Sequence, residues 1–224
     1  MGEEIAFKQI EKTSLIGNRI KKPDAPAKAM GKTRYINDMV LPQMLYGKIL
    51  HAGRPHAEII NIDVSEAERL PGVHAVITAK DIPDLKLGFV KDNAPLKDKV
   101  RCERDEVAAV AAESEAIAAE ALKLIKVDYR DLPAVLTAEE GLLPGAPVVQ
   151  EKYPDNKSLN FTFKCGDLEA AEASSDIILD DTFKVHYVTH CCMGTSCAIA
   201  DFDHNGKLTI YSQRNRSVFV VRGL

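Results

Sequence analysis

A chain of 224 residues, of which 46% are hydrophobic and 28% charged, has the composition of a globular protein with room for one sizeable domain and part of another. A net charge of −4 argues against nucleic acid as a partner, because phosphate-binding surfaces need clustered lysine and arginine. No run approaches the roughly 20 apolar residues of a membrane helix, no secretory signal is visible, and five cysteines suit a reducing compartment, so we expect a cytoplasmic protein away from membranes.

The first half of the sequence alternates predicted strands and helices. Residues 1–27 are polar and contain two closely spaced prolines, which favour an extended lead-in. Residues 85–100, with scattered lysines and a proline, indicate a loop. Runs of β-branched and small apolar residues predict strands at residues 39–51, 57–62, 73–78, 106–112 and 127–129.

Two helices are predicted between these strands. Ser65, with a glutamate three residues later, has the spacing of a capping box, and Pro71 then ends a short helix. Residues 113–125 have the clearest helical pattern in the chain, with Ala121 on the apolar face. We expect that face to pack on the strand at 106–112.

The second half has a different pattern. Prolines and polar residues at 137–159 indicate a linker, and a mostly β segment follows at 160–224. A small helix at 167–173, with Asp167 as its N-cap, interrupts this segment. The predicted strands of the segment are residues 160–164, 177–190, 197–202 and 208–211. The predicted fold class is therefore α+β, in two parts.

Short motifs in a fixed order give the chain a resemblance to a known family. They lie at residues 31–38, 45–50, 55–59, 62–63, 65–67, 70–73, 75–78, 81–83, 107–113, 125–129, 132–134, 166–169, 189–193, 198–200, 206–208 and 211–212. On these residues the chain resembles the molybdenum hydroxylases, the xanthine dehydrogenase and aldehyde oxidase family. The resemblance implies that family's α/β hammerhead domain at 28–136 and the incomplete beginning of its molybdenum-cofactor-binding domain at 160–224.

The resemblance also implies a function. Enzymes of this family hydroxylate a carbon next to a heteroatom or oxidise an aldehyde, with water as the oxygen source. The complete enzyme would hold a molybdopterin-type molybdenum cofactor, with iron–sulfur clusters and usually FAD elsewhere in the complex. The family's catalytic glutamate comes from a region beyond this sequence, so we expect no catalytic residue, no metal ligand and no bound cofactor in this chain alone. Its substrate would be an N-heterocycle, an aldehyde or a related compound.

A structural and interface role follows from that expectation. The expected partners are the remainder of the large subunit or a complementary subunit, together with iron–sulfur and flavin subunits or domains. Self-association through residues 156–224, rather than through the hammerhead domain, is a further expectation, because strands there would lack their usual cover.

Three departures from the family pattern keep a second interpretation open. Gly194 stands where the family usually has glutamate after a His-x-x-Met motif. Ser212, Gln213 and Arg214 replace the usual Ser-Thr-Gln, and residues 103–105 occupy a place where the family favours glycine. The alternative is a non-catalytic remnant, or a binding or assembly module of the same family.

Other candidate sites have simpler interpretations. His190, Cys191, Cys192 and Cys197 could indicate zinc, but adjacent strand residues face opposite sides, so we favour free thiols buried as small apolar side chains. Residues 201–206 match the first half of an EF-hand loop. The twelfth position is Ser212 rather than glutamate, which favours a hairpin turn at Asn205-Gly206.

The remaining polar residues that attract attention are histidines and acidic pairs. His51 and His56 flank a Gly-Arg-Pro turn, and we favour structural or surface roles over general-base chemistry. The pairs at 105–106 and 180–181 are interpreted as solvated strand ends.

Overall fold

The computed structural model describes residues 17–88, 91–163, 165–189 and 196–212. Their contacts divide them into two units, one containing described residues 17–40 and 196–212 and the other residues 41–189. No helix among the described residues has the length and apolar character needed to cross a membrane. The elements are α1 (Ala25–Ala29), β1 (Tyr46–His51), β2 (Ala57–Asp63), α2 (Ser65–Glu68), β3 (Val73–Thr78), β4 (Lys99–Val100), β5 (Glu106–Ala112), α3 (Glu115–Leu124), β6 (Lys126–Asp131), α4 (Ala138–Gly141), α5 (Leu168–Ser174), β7 (Ala198–Phe202) and β8 (Leu208–Ser212).

The larger unit contains two antiparallel sheets of three strands each. Their strand orders are β1-β5-β3 and β4-β2-β6. In the second sheet β6 accompanies β2 along its length, whereas β4 pairs only with Ala57 and Glu58. Ile60 has no partner in the β2–β6 register, which marks a β-bulge in β2. Among the described residues, one edge of β2 therefore has no strand beside it from Ile59 onwards.

Helix α3 lies against the first sheet, and small side chains form the contact. Ala118 and Ala121 of the helix are fully buried among Ala108, Val110 and Ala112 of β5. Because alanine has no side chain beyond Cβ, the helix and the central strand can approach closely. A second, smaller core packs Val107 and its neighbours against the β4–β2 pairing.

Several predictions from the sequence are confirmed in this unit. The structure has strands over the predicted ranges 73–78 and 106–112, and β2 extends one residue past the prediction. The predicted helix at 113–125 is α3, which starts two residues later because Ser114 is its N-cap and accepts a hydrogen bond from the Ile117 N–H at 3.2 Å. Ala121 is buried as expected.

Other local predictions were wrong. The helix at Ser65 forms, but no side chain caps it in the predicted manner; instead Asp63 Oδ1 accepts the Ser65 N–H at 3.0 Å. The strand predicted at 39–51 begins only at Tyr46, after a 3-10 turn at Ile36–Asp38 and a left-handed residue at Gln43 (φ 59°). The loop predicted at 85–100 contains the short strand β4 at its end.

Two predicted strands are absent from the second half. Residues 160–163 and 177–189 form no strand, and residues 164 and 190 lie outside the described residues. A strand requires a neighbour to accept its backbone hydrogen bonds, and the described residues supply none here. The predicted small helix is confirmed as α5, with Asp167 Oδ1 accepting the Ala170 N–H at 3.1 Å.

The smaller unit contains α1, the 3-10 turn and the β7–β8 hairpin. Pro26 lies in the first turn of α1, where its missing N–H costs nothing. The two hairpin strands confirm the predictions at 197–202 and 208–211 to within one residue at each end.

We expect Ala121→Asp to lower the free energy of unfolding by about 3 kcal/mol or more, because it places a carboxylate between α3 and β5 without a partner. Urea unfolding followed by circular dichroism measures the change. Ala116→Asp is the matched control, since Ala116 is exposed on the same helix. Equal unfolding midpoints for the two variants would contradict the packing described here.

Candidate functional site

The two histidines beside the Gly-Arg-Pro turn are held by backbone carbonyls. His56 is 5% exposed, and its Nδ1–H donates to Pro133 O at 2.7 Å. His51 Nδ1 lies 2.8 Å from Arg104 O. These bonds tie β2 to the residues after β6, and β1 to the loop before β5. Both contacts fix the path of the chain.

The loop between β4 and β5 closes around a buried carboxylate. Asp105 Oδ2 accepts the backbone N–H of Arg101 at 2.6 Å and that of Cys102 at 3.1 Å. The interpretation of residues 105–106 as a solvated strand end was wrong, because Asp105 is buried and Glu106 pairs with the buried Lys97 at 3.1 Å. A carboxylate that accepts two N–H groups stabilises a turn without any glycine.

The segment predicted as a linker is bound to the second sheet by ion pairs. Glu151 contacts Lys99 Nζ at 2.5 Å and Arg101 Nη2 at 2.7 Å, while Arg101 Nε donates to Val149 O at 3.0 Å. The Lys99 and Arg101 hydrogen bonds hold the pKa of Glu151 at about 2. We call these three side chains the Glu151 clamp.

A second set of hydrogen bonds, made by the Asn156 side chain, holds residues 137–157 in a compact loop, which we call the strap. Asn156 adopts a left-handed conformation (φ 57°), and its side-chain N–H groups donate to Gly141 O and Pro147 O at 3.0 Å. Its Oδ1 accepts the Val149 N–H at 3.0 Å. At the other end, Thr137 and Glu140 form a capping box around α4. The side-chain amide of Asn156 thus closes the strap, and the Glu151 clamp attaches the strap to β4.

A groove of about 310 Å³ lies beside the open edge of β2. Ile59, Ile60 and Ile62 line it from β2, and Val76 and Thr78 line it from β3. Its charged lining residues are three carboxylates, Glu68, Asp81 and Asp98, together with Lys80 and Lys97. Lys97 is paired with Glu106, and Asp81 accepts hydrogen bonds from Thr78. The remaining charges, Glu68 and Asp98 against Lys80, leave a small acidic excess beside the apolar lining.

The chain from Ile177 to Val188 is the most exposed apolar stretch of the described structure. Phe183, Val185 and Tyr187 are 88%, 95% and 105% exposed. They alternate with Lys184 and His186, which is the pattern of a strand with one apolar face. Asp180 and Asp181 are solvated as expected, but no strand ends at them.

The cysteines that the structure describes are free thiols. Cys102 and Cys165 are exposed and Cys197 is half-buried, so the expected burial is wrong for Cys197. His190, Cys191 and Cys192 lie outside the described residues. Partial burial of the sulfur, and then the nearby Asp105 carboxylate, raise the pKa of the Cys102 thiol, which disfavours a reactive thiolate.

The EF-hand-like residues form the turn of the β7–β8 hairpin, as the sequence favoured. Asp203 Oδ1 accepts the backbone N–H groups of Asn205 and Lys207 at 2.9 Å each, and Gly206 is left-handed (φ 78°). The Asp203 carboxylate is therefore engaged by backbone N–H groups. In the described ranges no three His, Cys, Asp or Glu side chains group in a way that could hold a metal ion.

Two family models match the chain in succession. The aldehyde oxidase and xanthine dehydrogenase a/b hammerhead domain matches residues 30–133, and the molybdopterin cofactor-binding domain matches residues 149–222. The chain belongs to the molybdenum hydroxylase family. The hammerhead match covers both three-stranded sheets and α3.

Relatives and solved structures of this molybdenum hydroxylase chain agree with that assignment. It is 37% identical to a probable xanthine dehydrogenase subunit of Bacillus subtilis (strain 168), with 85% of this chain and 26% of the relative aligned. It is 30% identical to the nicotinate dehydrogenase large molybdopterin subunit of Eubacterium barkeri, over 88% of this chain and 46% of the relative. The crystal structure of quinoline 2-oxidoreductase from Pseudomonas putida 86 matches with a TM-score of 0.81 at 30% identity, over 90% of this chain and 27% of that one. The chain therefore spans between about a quarter and a half of the curated relatives described here.

The described part of the cofactor-binding region does not fit the cofactor by itself. From residue 160 onward the described residues are almost all exposed, and the apolar side chains between Ile177 and Val188 are at least 61% exposed. Two cavities of the described structure are lined by residues between Ile59 and Lys152. No cradle for a pterin is thus assembled from these described residues, and no step of its chemistry is assigned to them.

The Glu151 clamp should give the protein an acid-sensitive contribution to stability. The folded pKa of about 2 lies below the ordinary 4.5, so the contribution is complete above about pH 5 and is lost as the pH falls towards 2. Solvent screening limits it to about 1 kcal/mol, since the Glu151 side chain is 60% exposed.

The variant Glu151→Gln should therefore be less stable than wild type at pH 6, and the difference should narrow between about pH 5 and pH 3. Urea unfolding at several pH values measures it, with Glu120→Gln on the outer face of α3 as control. A difference that is independent of pH would rule out the ionic origin.

Proposed function

We propose that this chain is the hammerhead and adjoining cofactor-domain portion of the large subunit of a molybdenum-dependent hydroxylase or dehydrogenase of the xanthine dehydrogenase or aldehyde oxidase type. The complete enzyme would act on an N-heterocycle, an aldehyde or a related substrate. The observation that carries this proposal is the succession of the two family matches along one chain, together with the match to the solved quinoline 2-oxidoreductase structure. The role of the chain is structural: it forms a wall and an interface.

The exposed stretch from Ile177 to Val188 supports a partner at the second half. Seven large apolar side chains are exposed to solvent there, and isolated domains seldom expose so large an apolar patch. The partner we propose is the remainder of the large subunit, in the same polypeptide or in a complementary one. Iron–sulfur and flavin subunits or domains would complete the electron path, and the complex would work in the cytoplasm.

The molybdopterin-type cofactor would be held by the completed domain. When bound, it supplies the oxygen transfer and the two-electron oxidation of the substrate. The residues of this chain would position the neighbouring strands and exclude water through their apolar side chains. The alternative, a non-catalytic module of the same family, is favoured by Gly194 and by residues 212–214, which depart from the family pattern.

Co-expression of this chain with the missing part of the large subunit should yield a complex with stoichiometric molybdenum. The chain alone should carry no stoichiometric molybdenum, iron or flavin, as measured by metal analysis and the visible spectrum. Val185→Asp should abolish the complex, because it puts a charge into the proposed contact, whereas Lys157→Asp should leave it intact. A complex without molybdenum would favour the non-catalytic alternative.

We further propose that the hammerhead body ends at about residue 157 rather than at 136. The support is the Glu151 clamp, which binds the strap to the second sheet, and the Asn156 side chain, which holds the strap itself compact. A chain ending at Lys157 should remain a folded monomer with an unfolding midpoint close to that of the full chain. A chain ending at Leu136 should unfold at a lower denaturant concentration, because it loses these bonds. We expect its free energy of unfolding to be lower by about 1–2 kcal/mol. Equal stability of the two truncations would show that the strap is dispensable.

A further inference from the structure

The open edge of β2 combines three properties. Its backbone has no neighbouring strand, among the described residues, from Ile59 to Asp63 on the side where β4 ends. Ile60, at the bulge, is 58% exposed. The 310 Å³ groove runs beside this edge with isoleucine side chains in its floor. An unpaired edge next to an apolar groove is the arrangement that accepts an added strand.

The charges of the groove determine which kind of added strand would bind there. The carboxylates of Glu68, Asp81 and Asp98 outnumber the lining cations Lys80 and Lys97, and Lys97 is already paired with Glu106 outside the groove lining. A strand that suits this groove therefore alternates apolar residues with basic ones, so that its apolar face meets the isoleucines and its cations meet the carboxylates.

The chain itself carries such a segment. Residues 182–188 alternate Phe183, Val185 and Tyr187 with Lys184 and His186, and form neither helix nor strand. Seven residues in strand conformation span about 23 Å, enough to cover the roughly 17 Å of the five-residue open edge. The apolar side chains of this segment are at least 82% exposed, so it is available for pairing.

We propose that, when no completing polypeptide is bound, residues 182–188 of one copy add as a strand to the open edge of β2 in a second copy. The exchange is reciprocal, so each pair of chains has two such contacts. It covers the apolar segment and supplies backbone hydrogen-bond partners, which no described strand of the same chain offers to this segment. A polypeptide that completes the cofactor-binding domain would compete for the same segment and would release the chains from one another.

The test uses the full chain and measures its association by sedimentation velocity over a range of concentrations. Wild type should dimerise, and Ile60→Lys or Val185→Lys should each weaken dimerisation at least about tenfold, since each places a lysine in the apolar contact. Ile49→Lys is the matched control, because Ile49 is also an exposed isoleucine on a strand, in β1 of the other sheet. Circular dichroism establishes that the variants remain folded.

Mixing the two variants gives the decisive result. The segment of the Ile60→Lys chain and the edge of the Val185→Lys chain are both intact, so the mixture should recover one of the two contacts and form a heterodimer that neither variant forms alone. A monomeric wild type at high concentration overturns the proposal. So does a mixture that stays monomeric, or an Ile60→Lys chain that dimerises like the control, since either result places the contact elsewhere. These outcomes are independent of molybdenum content, so they stand apart from the test of the proposed enzyme.

Discussion

The close approach of α3 to β5 is the contact on which the larger unit depends. The helix contributes Ala118 and Ala121, and the strand contributes Ala108, Val110 and Ala112. Side chains of this size leave little distance between the two backbones, so dispersion contacts are dense although no residue is large. The chain has no tryptophan, and its largest fully buried side chains are valines. Such a core has little tolerance for added volume, because extra methylene groups in a closely packed contact force neighbouring side chains out of their preferred rotamers.

Polar contacts extend this core to residues that periodicity alone would leave as loops. Asp105 closes the turn between β4 and β5 with two backbone N–H groups, and Asn156 closes the strap with three hydrogen bonds. Both residues act on the backbone, so they fix the path of the chain rather than bury area. The Glu151 clamp then fastens the strap to β4, the shortest strand of the second sheet. The edge strand β4 and the strap therefore stabilise each other.

The sequence predicted best those elements that have a strong local pattern, even where their strand partners are distant in the chain. Strands 73–78 and 106–112 and the helix beginning after Ser114 have strong local patterns, and the fold keeps them in register. The capping box at Ser65 failed because Asp63 competes for the same N–H and stands two residues earlier. Asp105 was misjudged because nothing in its local sequence reports that two backbone donors converge on it. Burial of a carboxylate depends on the shape of the whole loop, which sequence periodicity does not encode.

The residues from 177 to 189 failed as a predicted strand for a different reason. Apolar and polar residues alternate in this segment as they do in a strand, so its local preference is for extended backbone. A strand also needs a neighbour to accept its hydrogen bonds, and within the described residues none lies beside them. The same holds for β2 beyond Glu58, where the pairing with β4 stops and the open edge begins. The described residues of one chain thus contain a strand edge that has no neighbouring strand and a strand-forming segment that pairs with no edge. Their complementary charge and spacing make pairing between chains the most direct way to satisfy both, until a completing polypeptide offers the segment a larger apolar surface.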